Sequence, residues 1–412
     1  MKRIIAAILL LVMMLSLCAC GKKSAPAPAE PDVPAAEPAA EPAAEPAQMA
    51  SAVQNAQTVS DPAVPAAAPA AASAAEAIAL FDSGDYTGAF QKASAADAND
   101  PTVAALLGKA YYLGLGTDVN YAKAQSYLET ASKGGFPSAA YLLADASDFG
   151  NGTRMDKDEA ARRYIKFVAV ADEVDPASSD YGMSMTYLAE CFAKGRGVEK
   201  KHELALDAAN KASAAANLTP FELMSLADFY DSPAPNHVSE AADATGEYAV
   251  ETARKVDAAR ADELYRRALE GLQKLSDAGN LAATKLLGDL YLDGKGGLAQ
   301  DYAKALETYM IAADEDYAPA QAQVGYIYQN ALGVTADYAK AMEWNNRAAM
   351  QGNAQGQAQI GYLYQNGLGV TQNLDEAGRW YTRAKEGGSD WAAAMLEQTE
   401  ATNPHASYEA HA

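Results

Sequence analysis

Cysteine and histidine are scarce in this chain of 412 residues, which contains three cysteines and four histidines. Cys18 and Cys20 lie together near the N-terminus, so Cys191 is the one cysteine in the rest of the chain. A disulfide framework within the main body is therefore excluded, and packing must hold the fold together. The histidines form no His-Glu-x-x-His pattern, so we expect neither a metal site nor a bound cofactor.

The chain also lacks an apolar run of the roughly 20 residues that a membrane-spanning helix needs. Its longest apolar stretch, from Ile4 to Leu17, follows Lys2 and Arg3 and ends in small residues. A basic start, a short apolar centre and a small-residue end are typical of a secretory signal peptide. We predict that residues 1–19 are this signal.

The end of that segment, Leu17-Cys18-Ala19-Cys20-Gly21, resembles a bacterial lipobox. The resemblance implies that Cys20 is acylated, for example with palmitate, and becomes the mature N-terminus. We then expect a lipid-anchored protein of the cell envelope, outside the cytoplasm, on the outer face of the cytoplasmic membrane or on the outer membrane. The alternative is an ordinary cleavage site that contains cysteines.

Basic residues are few compared with acidic ones. Without Lys2 and Arg3, the chain has 30 basic and 54 acidic residues, which gives a formal net charge of −24. Such a surface disfavours nucleic acid and anionic lipid headgroups and favours basic partners. The predicted lipid, rather than a basic patch, would hold the protein to the membrane.

Proline is concentrated near the start of the chain. Ten of the 18 prolines lie between Pro26 and Pro69, in a segment rich in alanine and glutamate. So many prolines forbid a continuous helix. We predict that residues 20–73 form a disordered tether.

The rest of the chain is repetitive. The stretch from Val324 to Val334 recurs from Ile360 to Val370, 36 positions later. The shared template is Leu-Gly-x-x-Tyr, a Gly-x-Gly turn, an Asp or Asn, and a Lys-Ala pair in a second helix. A period of this length with helical apolar spacing predicts a two-helix repeat solenoid. The first glycine of the turn is expected to end the first helix, here called helix A, and the Asp or Asn to start the second, helix B.

This template resembles the Sel-one-like repeat, a short relative of the tetratricopeptide repeat, over residues 104–397. The resemblance implies an all-α fold, an α/α solenoid, and an adaptor or assembly role in envelope complexes, secretion or host contact. Two regions depart from it: a fourth copy with Pro233 and Pro235 in place of glycines, and a longer insert. The predicted divisions after the tether are a tetratricopeptide-like cap at 74–103, repeats at 104–238, a helical insert at 239–280, repeats and a capping helix at 281–397, and a flexible tail at 398–412.

When the repeats are aligned, two positions of helix A are not needed for packing within a repeat. They lie one and five positions after the Gly or Ala that follows Leu, on one face of the helix. If helix A lines the concave face, as the resemblance implies, this face forms a groove with an acidic middle and a tyrosine- and amide-rich C-terminal end. The predicted partner-binding residues are Asp145, Glu190, Asp228 and Asp289 in the middle, and Gln323, Tyr326, Asn330, Gln359, Tyr362 and Asn366 at the end.

Tyrosines beside amides offer flat apolar area and directional hydrogen bonds, which suit a peptide segment or a sugar. The main interpretation is therefore a scaffold for protein partners, and a module for cell-wall or exported polysaccharide is the alternative. The alternative that these residues are ordinary solvated surface positions with no binding role also stays open. Some cysteine-rich members of the family are linked to hydrolysis, but this chain lacks their paired cysteines. We expect no enzyme and assign no catalytic residue; Cys191 lies in an apolar column and is expected to be buried.

Overall fold

The computed structural model describes residues 70–232 and 246–402, with side chains from 74 to 232 and from 257 to 402. The signal segment, Cys20, nearly all of the predicted tether and residues 403–412 lie outside these ranges. The described residues form seventeen α-helices and no strand, so the protein is an all-α helical-repeat solenoid. The helices are α1 (Ala70–Asp82), α2 (Tyr86–Ser94), α3 (Pro101–Leu113), α4 (Tyr121–Lys133), α5 (Pro137–Phe149), α6 (Lys157–Ala171), α7 (Tyr181–Lys194), α8 (His202–Ser213), α9 (Pro220–Asp231), α10 (Gly246–Asp277), α11 (Leu281–Asp293), α12 (Tyr302–Asp314), α13 (Ala318–Gln329), α14 (Tyr338–Met350), α15 (Ala354–Asn366), α16 (Leu374–Glu386) and α17 (Asp390–Thr402).

Each repeat is a pair of packed helices. Helices A are α3, α5, α7, α9, α11, α13 and α15, and each packs on the helix B that follows it. A pair of this kind cannot bury its apolar stripe alone, so neighbouring pairs stack. Helix α17 packs on α16 and closes the C-terminal end.

Left-handed residues end most of helices A, as the Gly-x-Gly pattern predicts. Gly294 ends α11 with a φ of 70°, where a side chain would be strained. The sixth repeat has Ala331 at the equivalent position, and it adopts the same region with a φ of 56°.

Asp or Asn starts the helices B of five repeats. Asp301, for example, accepts a hydrogen bond from the backbone N–H of Lys304. In the first and seventh repeats the capping residues are Asn120 and Asn373. Asp118 and Asp375, which the template highlights, are therefore not the caps.

The glycine after Leu brings helix A close to helix B. A Cβ on Gly288 would lie 2.5 Å from the ring of Tyr309, and one on Gly361 would lie 2.8 Å from the ring of Tyr381. Glycine at these positions therefore makes room for a large buried ring beneath the inner helix.

The predicted insert has a different structure from the one expected. Its sequence suggests two helices, about 240–255 and 260–277, but Gly246–Asp277 is one helix of 32 residues. No proline or glycine lies between Lys255 and Arg260, so no helix-breaking residue interrupts the helix there. Its C-terminal part packs on α9 and serves as helix B of the fourth repeat.

Helix ends also differ from the expected boundaries. The first helix begins at Ala70, before the predicted boundary at 74, and α17 continues to Thr402 rather than ending near 397. No helix in the described ranges combines the length and apolarity that crossing a membrane requires.

One contact links distant repeats. The side-chain amide of Asn280, at the start of α11, donates to the carbonyl oxygens of Leu113 at 2.8 Å and Gly114 at 2.9 Å. The beginning of the fifth repeat therefore lies against the turn of the first.

Candidate functional site

A large cavity lies on the inner face of the fourth to seventh repeats. It has a volume of about 890 Å³ and is lined by helices α9, α11, α13 and α15 and by the start of α17. Helices A therefore line it, as the resemblance implied. We call it the C-terminal groove.

One end of the C-terminal groove is acidic. Asp289 accepts hydrogen bonds from the Tyr309 hydroxyl at 2.7 Å and from the Lys285 ammonium at 2.7 Å. Asp228 accepts one from the Tyr265 hydroxyl at 2.6 Å. Burial, together with the carboxylate of Asp289, raises the pKa of Tyr309 above its usual value, so this hydroxyl stays a donor.

The other end of the C-terminal groove combines aromatic rings and amides. The rings of Tyr362 and Trp391 lie 6.1 Å apart, and Trp391 is 45% exposed. The amide of Gln355 donates to the side-chain oxygen of Gln323 at 3.2 Å. Within the described ranges, the hydroxyls of Tyr326 and Tyr362 make no hydrogen bond, so they are available to a ligand.

The structure brings seven of the ten predicted residues together. The residues that line the C-terminal groove are Asp228, Asp289, Gln323, Tyr326, Asn330, Gln359 and Tyr362. Asn366 does not line it; its amide donates to the carbonyl of Tyr362 at 2.9 Å. Asp145 and Glu190 line a cavity of about 180 Å³ between the first four repeats, and Glu190 also lines a cavity of about 440 Å³ that reaches Asp228.

The chain itself engages Asp145 and Glu190. Arg196, the middle residue of the third Gly-x-Gly turn, lies 3.4 Å from Asp145 and 3.7 Å from Glu190. It also donates to the Tyr141 hydroxyl at 2.7 Å. Burial opposes ionisation of Glu190, but the charges of Lys194 and Arg196 outweigh it and hold the pKa of Glu190 below its usual value.

A buried ion pair underlies the same region. The Lys109 ammonium lies 2.7 Å from the Asp180 carboxylate, and both residues are less than 5% exposed. Asp180 also accepts from the Ser138 backbone N–H at 3.0 Å and from the hydroxyls of Ser138 and Ser184. Burial opposes ionisation of Asp180, but Lys109 and the Ser138 hydrogen bonds keep its pKa below the usual value.

Sequence reasoning missed several groove residues. Trp391 lies at the start of the capping helix, and Tyr265 lies within the predicted insert, so the repeat template marks neither residue. Gln355 lies one helical turn before Gln359, so helical spacing alone would have found it.

The described residues show no other reactive centre. No group of three or more His, Cys, Asp or Glu side chains within them could hold a metal ion. Cys191 is fully buried, as predicted, and burial raises the pKa of its thiol to about 12. A thiol of this kind is inert at neutral pH.

Comparison with known families identifies the repeat. The Sel1 repeat model matches six segments, at residues 102–136, 137–166, 182–216, 282–317, 318–353 and 354–389. Together they cover about half of the chain. The chain belongs to the Sel1 repeat family. Between the third and fourth matched segments lie residues 217–281, which contain the proline-bearing fourth repeat.

Two solved structures of Sel1-type proteins resemble this one. A protective antigen of uropathogenic Escherichia coli strains with an SLR fold is 23% identical, with a TM-score of 0.33. The alignment covers 83% of this chain and 66% of the antigen, just under two thirds of the antigen's length. A Sel1 repeat protein from Oxalobacter formigenes is 20% identical over 76% of this chain and 96% of that chain, with a TM-score of 0.31. No curated protein matches the chain.

Proposed function

We propose that this Sel1 repeat protein is a non-enzymatic scaffold that binds a protein partner in the C-terminal groove. The observation that carries the proposal is the cavity of about 890 Å³ across four consecutive repeats, in which two tyrosines keep their hydroxyls unbonded within the described ranges. Its volume falls in the range of about 300–1,000 Å³ that is common for ligand sites.

The chemistry of the groove supports a protein ligand. The rings of Tyr326, Tyr362 and Trp391 offer apolar area that can be buried by a ligand. Such rigid side chains lose little conformational entropy on binding. Gln323 and Gln359, which are one repeat apart, and Gln355 offer hydrogen-bond donors and acceptors. Membership of a helical-repeat family points in the same direction, because such repeats present extended inner surfaces.

A second candidate ligand is a cell-wall or exported glycan. Trp391 favours it, because a half-exposed indole beside Tyr362 can stack on a sugar ring while neighbouring amides bond its hydroxyls.

A pull-down tests the main proposal. The bait is the chain from residue 70 onward, the variant is Tyr326→Ala/Tyr362→Ala, and the source is the native envelope. The matched control is Ile311→Ala/Met350→Ala, which removes exposed apolar side chains from neighbouring helices outside the groove. We expect a protein that wild type and control recover and the tyrosine variant loses.

Recovery of the same proteins by all three baits would contradict a groove site. Recovery of glycan alone, lost in the tyrosine variant, would replace the protein ligand with the second candidate.

We further propose that a lipid on Cys20 holds the protein to a membrane outside the cytoplasm, where it serves envelope assembly, secretion or host contact. The support is the sequence pattern around Cys20. Metabolic labelling with palmitate should label wild type and Cys18→Ala but not Cys20→Ala. Label retained in Cys20→Ala would contradict the anchor.

A further inference from the structure

We propose that the occupant of the C-terminal groove is an extended protein segment that places a lysine or arginine side chain at the acidic end. This inference rests on the proposed function and specifies the chemistry of the partner.

The groove carries an excess of negative charge. Its charged lining residues are Asp228, Asp289, Asp293 and Lys295. Lys295 is already bound to Asp231 at 2.9 Å and to Asp293 at 3.2 Å. Lys285, outside the lining, also pairs with Asp289 at 2.7 Å. Counted with these ion pairs, the acidic end holds the four carboxylates of Asp228, Asp231, Asp289 and Asp293 against two lysines, so an incoming cation would be attracted.

In the first repeats, a similar set of carboxylate and tyrosine groups binds a guanidinium group of the chain itself. There, Arg196 lies among the carboxylates of Asp145 and Glu190 and the hydroxyl of Tyr141. It also stacks over the ring of Tyr164, 5.5 Å from the ring centre. Asp289 with Tyr309 offers the same pairing of carboxylate and tyrosine at the edge of an open cavity, where the sixth repeat has Leu332 at the turn position of Arg196.

An unsatisfied amide in the groove points to a ligand independently of charge. Gln329 lines the groove and is 8% exposed, and its side-chain oxygen has no hydrogen-bond partner. In the seventh repeat, the equivalent Gln365 accepts from the Tyr381 hydroxyl at 2.6 Å. The sixth repeat has Asn345 in place of that tyrosine, and its amide is also unpaired.

Buried polar atoms rarely stay unpaired, because each costs free energy. Rotation of the Gln329 amide exchanges its oxygen and nitrogen, so the unpaired position can be an acceptor or a donor. A peptide backbone supplies both an N–H and a carbonyl, so an extended segment can satisfy whichever atom faces it. The aromatic end, with Tyr362 and Trp391, then accepts an apolar side chain of the same segment.

The test is selection from a phage-displayed library of random dodecapeptides on the purified protein, with elution by increasing salt. The charge variant is Asp289→Asn/Asp293→Asn, which keeps the shape of both side chains. The matched control, Glu307→Gln/Asp314→Asn, removes two exposed carboxylates of the same repeat outside the groove. Circular dichroism checks that each variant is folded, and Asp293→Asn alone replaces the double variant if that one is not.

We expect wild type and control to enrich peptides with lysine or arginine next to an apolar residue. Recovery of those peptides should be about fivefold lower on the charge variant, as for a partly exposed ion pair, and should fall with salt. Tyr326→Ala/Tyr362→Ala should lose them too.

The outcomes separate this inference from the proposed function. Peptides that require Tyr326 and Tyr362 but show no basic preference, or that bind the charge variant equally, would overturn the inference alone. If no peptide is enriched above the tyrosine variant, or if only glycans bind in a parallel glycan array, both proposals fail.

Discussion

The first and last repeats of the solenoid use the same inner positions in opposite ways. In the first repeats Asp145 and Glu190 line a cavity of about 180 Å³, and the charged residues around it are bound to one another. In the last repeats the equivalent face encloses about 890 Å³ and leaves tyrosine hydroxyls unbonded. A repeat template therefore fixes where an inner residue lies, but not whether it is free to bind.

The spacing between repeats accounts for the position of Arg196, which binds the inner carboxylates of the first repeats. Ala144 and Ala189 are 45 residues apart, and the turn of the third repeat lies on the middle of α6, where a Cβ on Gly197 would lie 2.7 Å from the Cβ of Tyr164. Gly325 and Gly361 are 36 residues apart, and the turn of the seventh repeat lies at the start of α14, with Gly369 against Tyr338. The turn placed over the middle of α6 brings Arg196 onto the inner face.

The strongest test of the closed region is to break its ion pair. Asp180→Ala leaves Lys109 charged, buried and unpaired, so we expect a loss of about 3–5 kcal/mol in the free energy of unfolding. Urea denaturation followed by circular dichroism measures it. Lys109→Met/Asp180→Leu removes both charges and should cost much less; an equal cost would show that the pair is not the cause.

The same pair makes the closed region sensitive to acid. Because the folded-state pKa of Asp180 is lowered, its contribution to stability is present above the ordinary value of 3.8 and is lost as the pH falls toward the folded-state pKa. The stability gap between wild type and Asp180→Ala should therefore shrink below that pH. Lys109→Met/Asp180→Leu lacks this titration, and a gap that stays constant on acidification would contradict the assignment.

Single hydroxyl deletions should separate the two regions directly. Tyr141→Phe removes a donor to Glu190 at 2.7 Å and an acceptor for Arg196, so we expect a loss of about 1–3 kcal/mol. Tyr326→Phe should stay within about 0.5 kcal/mol of wild type, because its hydroxyl has no partner within the described ranges. Thermal unfolding of both variants measures their losses of stability. Equal losses would contradict the difference between the two regions.

The smallest expected effect is a gain in the open region. Asn345→Tyr restores the residue type found at Tyr309 and Tyr381, and Gly325 leaves the same space above it as Gly288 and Gly361 do. A new hydrogen bond to Gln329 should raise stability by about 1 kcal/mol. Asn345→Phe is the control; if it gains as much as Asn345→Tyr, the hydroxyl makes no such bond.

Much of the fold could be predicted from the sequence because each position of the repeat occurs several times along the chain. The Leu-Gly pairs, the turns and the apolar column of Cys191 were placed correctly. The division of the insert into two helices was wrong, because no helix-breaking residue lies between Lys255 and Arg260. Seven of the ten predicted site residues line the C-terminal groove, but their role in binding stays a prediction.

By itself, the sequence determined the all-α repeat architecture, since it follows from local periodicity and from turn residues within one repeat. That helix A lines the inner face was implied by the resemblance to the repeat family. Only the tertiary structure decided which part of the inner face is closed. That depends on how far each turn lies along the preceding helix and on contacts between distant residues, such as Lys109 with Asp180 and Asn280 with Gly114. Such contacts join residues from different repeats, and no periodicity within a repeat encodes them.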